Sequence, residues 1–300
     1  MLEINNISKR FTDKVALENV SFSIPSGSIY GLLGQNGAGK TTLIRILNQI
    51  YEPSSGTIKF DGEKLNTEHI KNIGYLPEER GLYKKIKVLD HLIYFAKLRG
   101  YDTKMAELKA NYWLEKVKLS DVKNKRTEEL SKGMQQKIQF IMAVLHEPKF
   151  LILDEPFSGL DPINAELLID IIKELNEKGV TILFSTHRMD QVEKLCSHIA
   201  IIHQSKLIVD GKVSDIKKTY TLPRIRVKTQ DYLILKDNAL KFISQDASIS
   251  ETVETILEYP PQIMNYKMVF NILANDQEIL KFEQYVPSVS ELFFQLINNN

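Results

Sequence analysis

Residues 34–43 read GQNGAGKTTL, and this stretch decides the fold. It joins an apolar, strand-like run at 29–33 to a helical pattern that begins near Lys40. Glycine loses more backbone freedom on folding than any other residue, so three glycines at such a joint need a physical reason. The stretch fits G-x-x-x-x-G-K-[ST], in which the loop turns its backbone N–H groups inward around a polyphosphate. A glycine-rich turn with a chance lysine is the alternative, and the flanking strand and helix argue against it.

The predicted phosphate site extends from the loop into the first turn of the helix, whose N-terminal dipole favours an anion. We expect the Lys40 side chain to reach the β- and γ-phosphates, and the Thr41 hydroxyl to join the coordination shell of Mg²⁺. The predicted contacts to the polyphosphate come from Gly34, Asn36, Gly37, Ala38, Gly39, Lys40, Thr41 and Thr42. The predicted buried face of the helix consists of Leu43, Ile44, Ile46, Leu47 and Ile50.

A second motif, FLILDEP at 150–156, supplies the carboxylates that a phosphate-binding loop needs for its metal ion and its attacking water. Asp154 ends an apolar run that predicts a buried strand, where a carboxylate without a metal ion would be costly. We therefore predict that Asp154 binds Mg²⁺ and that Glu155 polarises the water. An acidic strand end on the surface is the alternative.

Strand-like runs alternate with helical patterns over the first two thirds of the chain. The runs at 150–154 and 181–185 are apolar on both faces, as in buried parallel strands, and the helical pattern between them predicts a right-handed crossover in an α/β fold. Residues from about 85 to 130 carry helical patterns without a strand signal, which predicts a helical insertion. After Gly211 the runs alternate again and predict a small α+β unit, with a boundary near residue 220.

The composition is that of an ordinary soluble globular chain, with 300 residues, 43% apolar and 26% charged. A net charge of +1 gives no electrostatic footprint for nucleic acid, so no nucleic-acid partner is expected. The single cysteine, Cys196, excludes an internal disulfide framework and fits a reducing compartment. We expect no signal peptide, and no segment approaches the roughly 18 to 20 apolar residues that cross a bilayer. A membrane role would therefore depend on a partner.

Three further segments make the pattern specific: LSKGMQQK at 130–137, SGLD at 158–161 and STH at 185–187. Together with the loop at 34–43 and the acidic strand end, their order and spacing resemble those of the nucleotide-binding subunits of ABC transporters. The resemblance covers about residues 1–215.

This resemblance implies a P-loop NTPase (ABC ATPase) core with a parallel sheet, an N-terminal antiparallel β part and a helical insertion at about 85–135. It also implies ATP and Mg²⁺ as cofactors. The expected domains are a nucleotide-binding domain at 1–217 and an accessory α+β domain at 218–300.

Ser131 and the backbone of Gly133 match the family's signature motif, L-S-G-G-Q, which contacts a γ-phosphate. In the family this contact crosses a head-to-tail dimer, so each ATP lies between one subunit's loop and the other's signature. Lys132 and Met134 depart from the motif, and we expect weaker contacts at its edges with the site intact. An ordinary helix N-cap at Ser131 is the alternative.

The resemblance assigns a role to two further side chains. His187 follows a strand-like run, as the family's switch histidine does, and is expected to contact the γ-phosphate and hold the attacking water. Glu155 and His187 are therefore the predicted catalytic residues. Phe11 resembles the aromatic residue that stacks on adenine, with a core phenylalanine as the alternative. The histidines at 91, 146, 198 and 203 are expected to be structural.

The segment GYLPEERGLY at 74–83 departs from the family at Glu78, where a glutamine is usual. A glutamate keeps an oxygen ligand for Mg²⁺ and adds a charge, so coupling would depend differently on metal or pH. A surface salt bridge, with Arg80 as a candidate partner, is the alternative. With the extra C-terminal unit, this stretch resembles the sodium-extruding and drug-exporting bacterial branch of the family.

The function implied is an ATP-hydrolysing subunit that powers a separate integral membrane permease in an exporter. It would act as a homodimer, or as a heterodimer with a similar ATPase, in the cytoplasm on the inner face of the membrane. A soluble ABC-type ATPase acting on ribosomes or DNA is the alternative, although one cassette, no sustained heptads and a charge near zero count against it. A P-loop kinase would leave LSKGM and STH unexplained.

Overall fold

The computed structural model describes residues 1–79, 81–233, 235, 239–247, 252–275 and 278–298. The chain forms two compact units, Met1–Val213 and Ser214–Asn300. Each unit is described by itself.

The first unit alternates strands and helices along most of its length. Its strands are β1 (Leu2–Phe11), β2 (Lys14–Ile24), β3 (Ile29–Leu33), β4 (Ser55–Phe60), β5 (Glu63–Lys64), β6 (Ile73–Leu76), β7 (Phe150–Asp154), β8 (Thr181–Ser185), β9 (His198–His203) and β10 (Lys206–Lys212). Its helices are α1 (Lys40–Leu47), α2 (Val88–Leu98), α3 (Thr103–Lys116), α4 (Lys132–Val144), α5 (Pro162–Glu177) and α6 (Met189–Leu195). The next helix, α7 (Val213–Tyr220), begins at the last residue of the unit.

A six-stranded sheet in the order β10-β9-β3-β8-β7-β6 forms the centre of the first unit. The pairs from β9 to β6 are parallel, and β10 adds an antiparallel edge. Every residue of β3, β7 and β8 is buried, as expected for strands whose two faces are both covered. The predicted α/β fold is confirmed. Because these strands are parallel, the loops after Leu33, Asp154 and Ser185 emerge at one edge of the sheet.

A four-stranded antiparallel sheet, β2-β1-β4-β5, forms the N-terminal part of the unit. Its inward side chains share one apolar cluster with helix α1, which contributes Leu43, Ile44, Ile46 and Leu47. Ile50 was predicted to belong to this buried face, and that prediction is wrong. The helix ends at Leu47, the chain turns through a left-handed Gln49 (φ 57°), and Ile50 is 56% exposed.

Helices α2, α3 and α4 lie between β6 and β7 in the sequence, where the helical insertion is expected. Helix α4 contacts strand β6 very closely. A Cβ atom at Gly74 would lie 2.1 Å from the Ala143 carbonyl oxygen and 2.9 Å from side-chain atoms of Pro148 and Leu151. Glycine is therefore the residue that lets α4 reach the sheet.

The second unit has an antiparallel sheet in the order β12-β13-β11-β14 and two helices. Its strands are β11 (Arg224–Thr229), β12 (Lys241–Ala247), β13 (Val253–Glu258) and β14 (Ile279–Gln284), and its helices are α8 (Tyr266–Ala274) and α9 (Val289–Asn298). Ile225, Val227 and Leu257 of the sheet share a buried cluster with Val269 and Leu273 of α8. This arrangement is the α+β unit that the alternating runs after Gly211 predict.

Across the described ranges of both units, the helices are too short or too polar to span a bilayer.

The close contact at Gly74 predicts a stability effect. Gly74→Ala should lower the free energy of unfolding by about 1–3 kcal/mol, because the added methyl group overlaps a backbone oxygen that cannot move aside cheaply. Urea unfolding followed by the fluorescence of Trp113, the only tryptophan, measures this in the first unit. Gly81→Ala is the matched control, since a Cβ there meets no described atom within 4 Å, and should change stability by less than about 0.5 kcal/mol. Equal stabilities of the two variants would contradict the packing argument.

Candidate active site

A cavity of about 430 Å³ opens at the sheet edge where β3, β7 and β8 end. Most of the residues predicted for binding or catalysis line it. Its lining consists of Phe11, Lys14, Ala16, Asn36, Gly37, Gly39, Lys40, Thr41, Thr42, Glu78, Asp154, Glu155 and His187. Lys14 and Ala16 are the lining residues that the sequence did not suggest, because nothing in the strand pattern of β2 distinguishes them from their neighbours.

The glycine-rich loop between β3 and α1 is shaped by close backbone contacts. At Gly39 the φ angle is 119°, and a Cβ atom would lie 2.4 Å from the Ala16 carbonyl oxygen. At Gly34 a Cβ atom would lie 2.3 Å from the carbonyl oxygen of Ile202. Any larger residue would push the loop off β2 and β9. Gly34 and the 5% exposed Ala38 belong to the loop without lining the cavity.

The Lys40 side chain is folded back into its own loop. Its Nζ atom donates to the carbonyl oxygens of Gly34, at 2.7 Å, and Gln35, at 3.2 Å. The residue is only 9% exposed, and burial lowers the pKa of Lys40, an effect partly offset by the nearby carboxylates of Glu155, Asp154 and Glu78. A cationic group thus stands at the loop beside an acidic cluster, which is the charge arrangement for binding an anion together with a cation.

Asp154 is the most deeply buried of these acids, with 2% of its surface exposed. Its Oδ2 atom has no hydrogen-bond partner among the described residues. Burial, with Glu78 and Glu155 nearby, raises the pKa of Asp154 to about 6. A buried, unpaired carboxylate oxygen fits a cation ligand, and oxygen donors from Thr41 and Glu78 line the same cavity. These residues therefore suit Mg²⁺.

Glu155 is held in a defined orientation by the segment after β8. Its Oε1 atom accepts the backbone N–H of His187 at 2.8 Å and lies 2.8 Å from His187 Nδ1, and its Oε2 atom accepts the Thr186 hydroxyl at 3.1 Å. The Glu155 side chain is 14% exposed, whereas that of His187 is 68% exposed. The two predicted catalytic residues are thus in direct contact.

Thr186 has a role at this site that the sequence analysis missed. It is fully buried, donates to Glu155, and its Oγ1 accepts the backbone N–H of Arg188 at 3.1 Å. Its position inside STH, directly before the predicted switch histidine, was the only signal available.

Phe11 and Glu78 were each predicted with an alternative. Phe11 is 42% exposed and makes an edge contact with Tyr51, so it is not a core phenylalanine. Glu78 lines the cavity and helps to raise the pKa of Asp154, which places its charge close to the acidic cluster. Arg80, the alternative partner of Glu78, lies outside the described residues.

Ser131 and Gly133 do not line the cavity. Ser131 is exposed at the N-terminus of α4, where its Oγ atom accepts the backbone N–H of Met134 at 3.3 Å. A Cβ atom at Gly133 would lie 3.2 Å from the Gly159 carbonyl oxygen, so this glycine touches the SGLD segment. Within one chain Ser131 is therefore an N-cap outside the lining of the cavity.

Two of the histidines expected to be structural are buried in the helical part. His91 is fully buried, neither ring nitrogen is hydrogen-bonded within the described part of the chain, and burial lowers its pKa. His146 Nε2 lies 3.1 Å from the Ile73 carbonyl oxygen, and burial lowers the pKa of His146 to about 4. Neither residue lines the site.

The sequence matches a family model described as ABC transporter over residues 17–158. It is also similar to YhaQ of Bacillus subtilis (strain 168), an uncharacterized ABC transporter ATP-binding protein, with 42% identity over 300 residues. That match covers 99% of this chain and 98% of the relative.

Two further similarities each cover nearly three quarters of this chain. The linearmycin resistance ATP-binding protein LnrL of Bacillus subtilis (strain 168) is 35% identical over 219 residues, which are 72% of this chain and 70% of LnrL. A solved structure of the ATP binding subunit of an ABC transporter superposes with a TM-score of 0.69 and 32% identity, covering 73% of this chain and 93% of that one.

The raised pKa of Asp154 predicts a pH-dependent stability of the protein without nucleotide or metal. The folded chain holds the Asp154 proton more tightly than the unfolded chain. As the pH rises from about 4 to about 6, ionisation of Asp154 therefore lowers the free energy of unfolding, which gains nothing back from this group at higher pH. Asp154→Asn removes the charge, and in EDTA it should raise the free energy of unfolding by about 1–3 kcal/mol at pH 7.5.

Urea unfolding at several pH values measures this difference, which should shrink towards zero near pH 4. Asp161→Asn is the control, because hydrogen bonds from Asn164 lower the pKa of the exposed Asp161 and its removal offers no such gain. A wild type that matches Asp154→Asn at pH 7.5 would show that Asp154 carries no burial penalty.

Proposed function

The chain belongs to the ABC transporter family as an ATP-binding subunit, and from this premise we propose that it powers a separate integral membrane permease in an exporter. ATP hydrolysis is the activity of this family of cassettes. The direction of transport is supported by the similarity to LnrL, whose name assigns it to linearmycin resistance. The observation that carries the proposal is the pairing of Glu155 with His187 beside the buried Asp154.

The proposed nucleotide contacts follow the lining of the cavity. Backbone N–H groups of the loop at 34–39 and the start of α1 bind the phosphates, and Phe11 offers an exposed ring for stacking on adenine. Lys40 leaves the carbonyl oxygens of Gly34 and Gln35 to pair with the β- and γ-phosphates. Thr41, Glu78 and Asp154 would hold Mg²⁺, which neutralises phosphate charge when bound.

Glu155 is the proposed general base for the attacking water. Thr186 and the His187 backbone fix its carboxylate, so that it needs no reorientation before it takes the proton. When both ring nitrogens of His187 carry a proton, Nδ1–H donates to Glu155 and Nε2–H can donate to the γ-phosphate. The exposed imidazole then links the base to the nucleotide, which agrees with the role of a switch histidine.

The position of the signature supports a dimer as the active form. Ser131 and Gly133 lie outside the cavity of their own chain, and Ser131 is exposed at a helix N-terminus, where an anion is favoured. A second chain, identical or similar, would bring its signature to this chain's γ-phosphate in a head-to-tail arrangement. Each chain would then supply half of two sites.

A second groove, of about 380 Å³, is the proposed binding site for a cytoplasmic helix of the permease. Its apolar lining includes Ile50, Ile70, Tyr75, Phe95 and Met142. The groove adjoins the loop that carries Glu78, because the lining residue Gln139 donates to the Glu79 carbonyl oxygen at 3.2 Å. A helix in the groove would therefore sense movements of this loop. This contact would hold the chain peripherally on the cytoplasmic face of the membrane.

The catalytic and dimer assignments make one joint prediction. Glu155→Gln keeps the size of the side chain and removes the base, so hydrolysis should fall by roughly 10² to 10⁴ while ATP still binds. The trapped ATP should hold two chains together, and light scattering after size-exclusion chromatography with and without MgATP measures the dimer.

Adding Ser131→Arg to the Glu155→Gln chain should return it to a monomer, because the bulky side chain blocks the partner's γ-phosphate. Ser120→Arg, at another exposed serine, is the matched control and should leave the dimer intact. A Glu155→Gln chain that stays monomeric at high protein and ATP concentration would rule out the homodimer and leave a heterodimer with a similar cassette to test.

The permease contact predicts a loss of membrane retention. Ile50→Glu puts a charge on the groove, so the tagged chain should leave salt-washed membranes of the native host, with retention reduced about tenfold, while ATPase activity of the purified chain is kept. Leu108→Glu is the control, because Leu108 is 61% exposed, close to the 56% of Ile50, and lies outside the groove. Mass spectrometry of the retained complex should identify an integral membrane protein. Equal retention of both variants would exclude the groove as the contact.

A further inference from the structure

A cavity of about 640 Å³ shares no lining residue with the nucleotide site. It lies in the first unit at the opposite ends of β7 and β8 from the ATP cavity. Its floor consists of Trp113, Val144 and Leu151, each no more than 5% exposed. Buried indole and aliphatic groups at the bottom of an open cavity favour an apolar ligand, since binding removes this surface from water.

The walls of this cavity come from two different parts of the unit. Leu108 and Tyr112 belong to α3 of the helical part, whereas Leu175 and Val180 lie at the end of α5 and before β8. Tyr112 packs edge-on against Trp113, with ring centroids 5.6 Å apart. Lys116 Nζ lies 5.4 Å from the centre of the Trp113 ring and 5.6 Å from that of Tyr112, so a positive charge borders the floor. The remaining apolar surface of the walls and floor suits a hydrophobic body.

The rim of the cavity is basic. Lys109, Lys116, Lys149 and Lys178 all line it. Glu147 pairs with Lys109 at 2.6 Å, and Glu174 pairs with both Lys116 and Lys178 at 2.6 Å. Lys149 is exposed and forms no ion pair with a described residue. Asp61 and Glu147 are the carboxylates that line the cavity with these four lysines, and Glu174 stands beside two of the lysines, so the rim keeps an excess of positive charge.

We propose that this cavity is a regulatory site for a small amphipathic anion, a flat hydrophobic body with one negatively charged group. The apolar body would rest on Trp113 between α3 and the end of α5, and the anionic group would lie at the rim beside Lys149. A negatively charged group complements the positive excess of the rim, and a neutral or cationic ligand would leave Lys149 unpaired.

Strands β7 and β8 connect this cavity to the ATP cavity. Leu151 of β7 lies on the floor and Asp154, three residues on, lines the ATP cavity; Thr181 begins β8, and His187 follows its end. A five-residue strand is roughly 17 Å long. A ligand held between α3 and the sheet would oppose any movement of the helical part against the core, and so would change the rate of hydrolysis. The effect on hydrolysis rests on the proposed ATPase function, whereas binding of the amphipathic anion to the cavity does not depend on it.

The full chain without nucleotide provides a direct binding test, since Trp113 is its only tryptophan. The probe is 1-anilinonaphthalene-8-sulfonate, an aromatic monoanion whose fluorescence can be excited by energy transfer from a nearby tryptophan. We expect saturable energy transfer from Trp113 at one site. The uncharged analogue N-phenyl-1-naphthylamine should bind severalfold more weakly, because it lacks the group that pairs with the rim.

Two pairs of surface variants locate the site without disturbing the core. Leu108→Glu puts a negative charge on the wall and should weaken binding of the anionic probe about tenfold, whereas Leu98→Glu, at a 63% exposed leucine outside the cavity, should change it less than twofold. Lys149→Glu should weaken the anionic probe about fivefold and leave the uncharged analogue unchanged, and Lys173→Glu, an exposed lysine outside the cavity, is its control.

Energy transfer that is equal in Leu108→Glu and Leu98→Glu would overturn the site. If Lys149→Glu weakened binding of the charged and uncharged probes equally, the proposal that the ligand is an anion would be wrong. For the coupling, the anionic probe at a concentration that occupies most of the wild type but little of Leu108→Glu should change the ATPase kcat at least twofold in the wild type and much less in the variant. An unchanged wild-type kcat would overturn regulation, and a chain that binds the probe without hydrolysing ATP would refute the proposed function instead.

Discussion

The site depends on one electrostatic constraint: three carboxylates and one buried lysine line the same cavity. Burial lowers the pKa of Lys40, and this effect is opposed by the charges of Glu155, Asp154 and Glu78. Asp154 also has a buried oxygen without a hydrogen-bond partner in the described structure. Burial, together with the charges of Glu78 and Glu155, raises the pKa of Asp154, so its ionised form is unfavourable unless a cation is added. The lysine meanwhile pairs with carbonyl oxygens of its own loop. Both groups gain better partners when an anion and a divalent cation enter together, which is the chemistry of a metal-bound polyphosphate.

The register of the central sheet determines which side chains meet at this cluster. Asp154 is aligned with Ser185 in the parallel pairing of β7 and β8. The next residue on each strand, Glu155 and Thr186, therefore come together beyond the sheet edge, and the Glu155 N–H donates to the Ser185 carbonyl oxygen at 2.9 Å. A shift of one residue would turn Glu155 to the other face and break its contact with Thr186. The buried apolar residues of the two strands thus fix the geometry of the proposed base.

The sequence could predict features that depend on residues close together in the chain, but not contacts between residues far apart in it. The loop at 34–43 and the acidic end of β7 are local patterns, and the α/β fold and the family predicted from them are confirmed. The roles of single site residues stay predictions. Contacts between distant segments were not visible: Thr186 reaches Glu155 across 31 positions, and the lining residue Lys14 comes from the N-terminal sheet. Ile50 was misassigned because periodicity continued past Leu47, whereas the left-handed Gln49 reversed the chain.

The two predicted contact residues of the signature segment, Gly133 and Ser131, differ in how far contacts within one chain explain them. Gly133 is restricted by its own fold, because a side chain there would press against the Gly159 carbonyl oxygen and Leu160. A glycine at 133 therefore has a packing role within its own chain. Ser131 is different: its hydroxyl caps α4 with a long 3.3 Å hydrogen bond, and asparagine or aspartate would cap as well. A small, uncharged hydroxyl beside an exposed Lys132 suits an incoming phosphate, while an acidic cap would repel it. Serine at 131 is therefore compatible with the proposed contact to a partner's nucleotide.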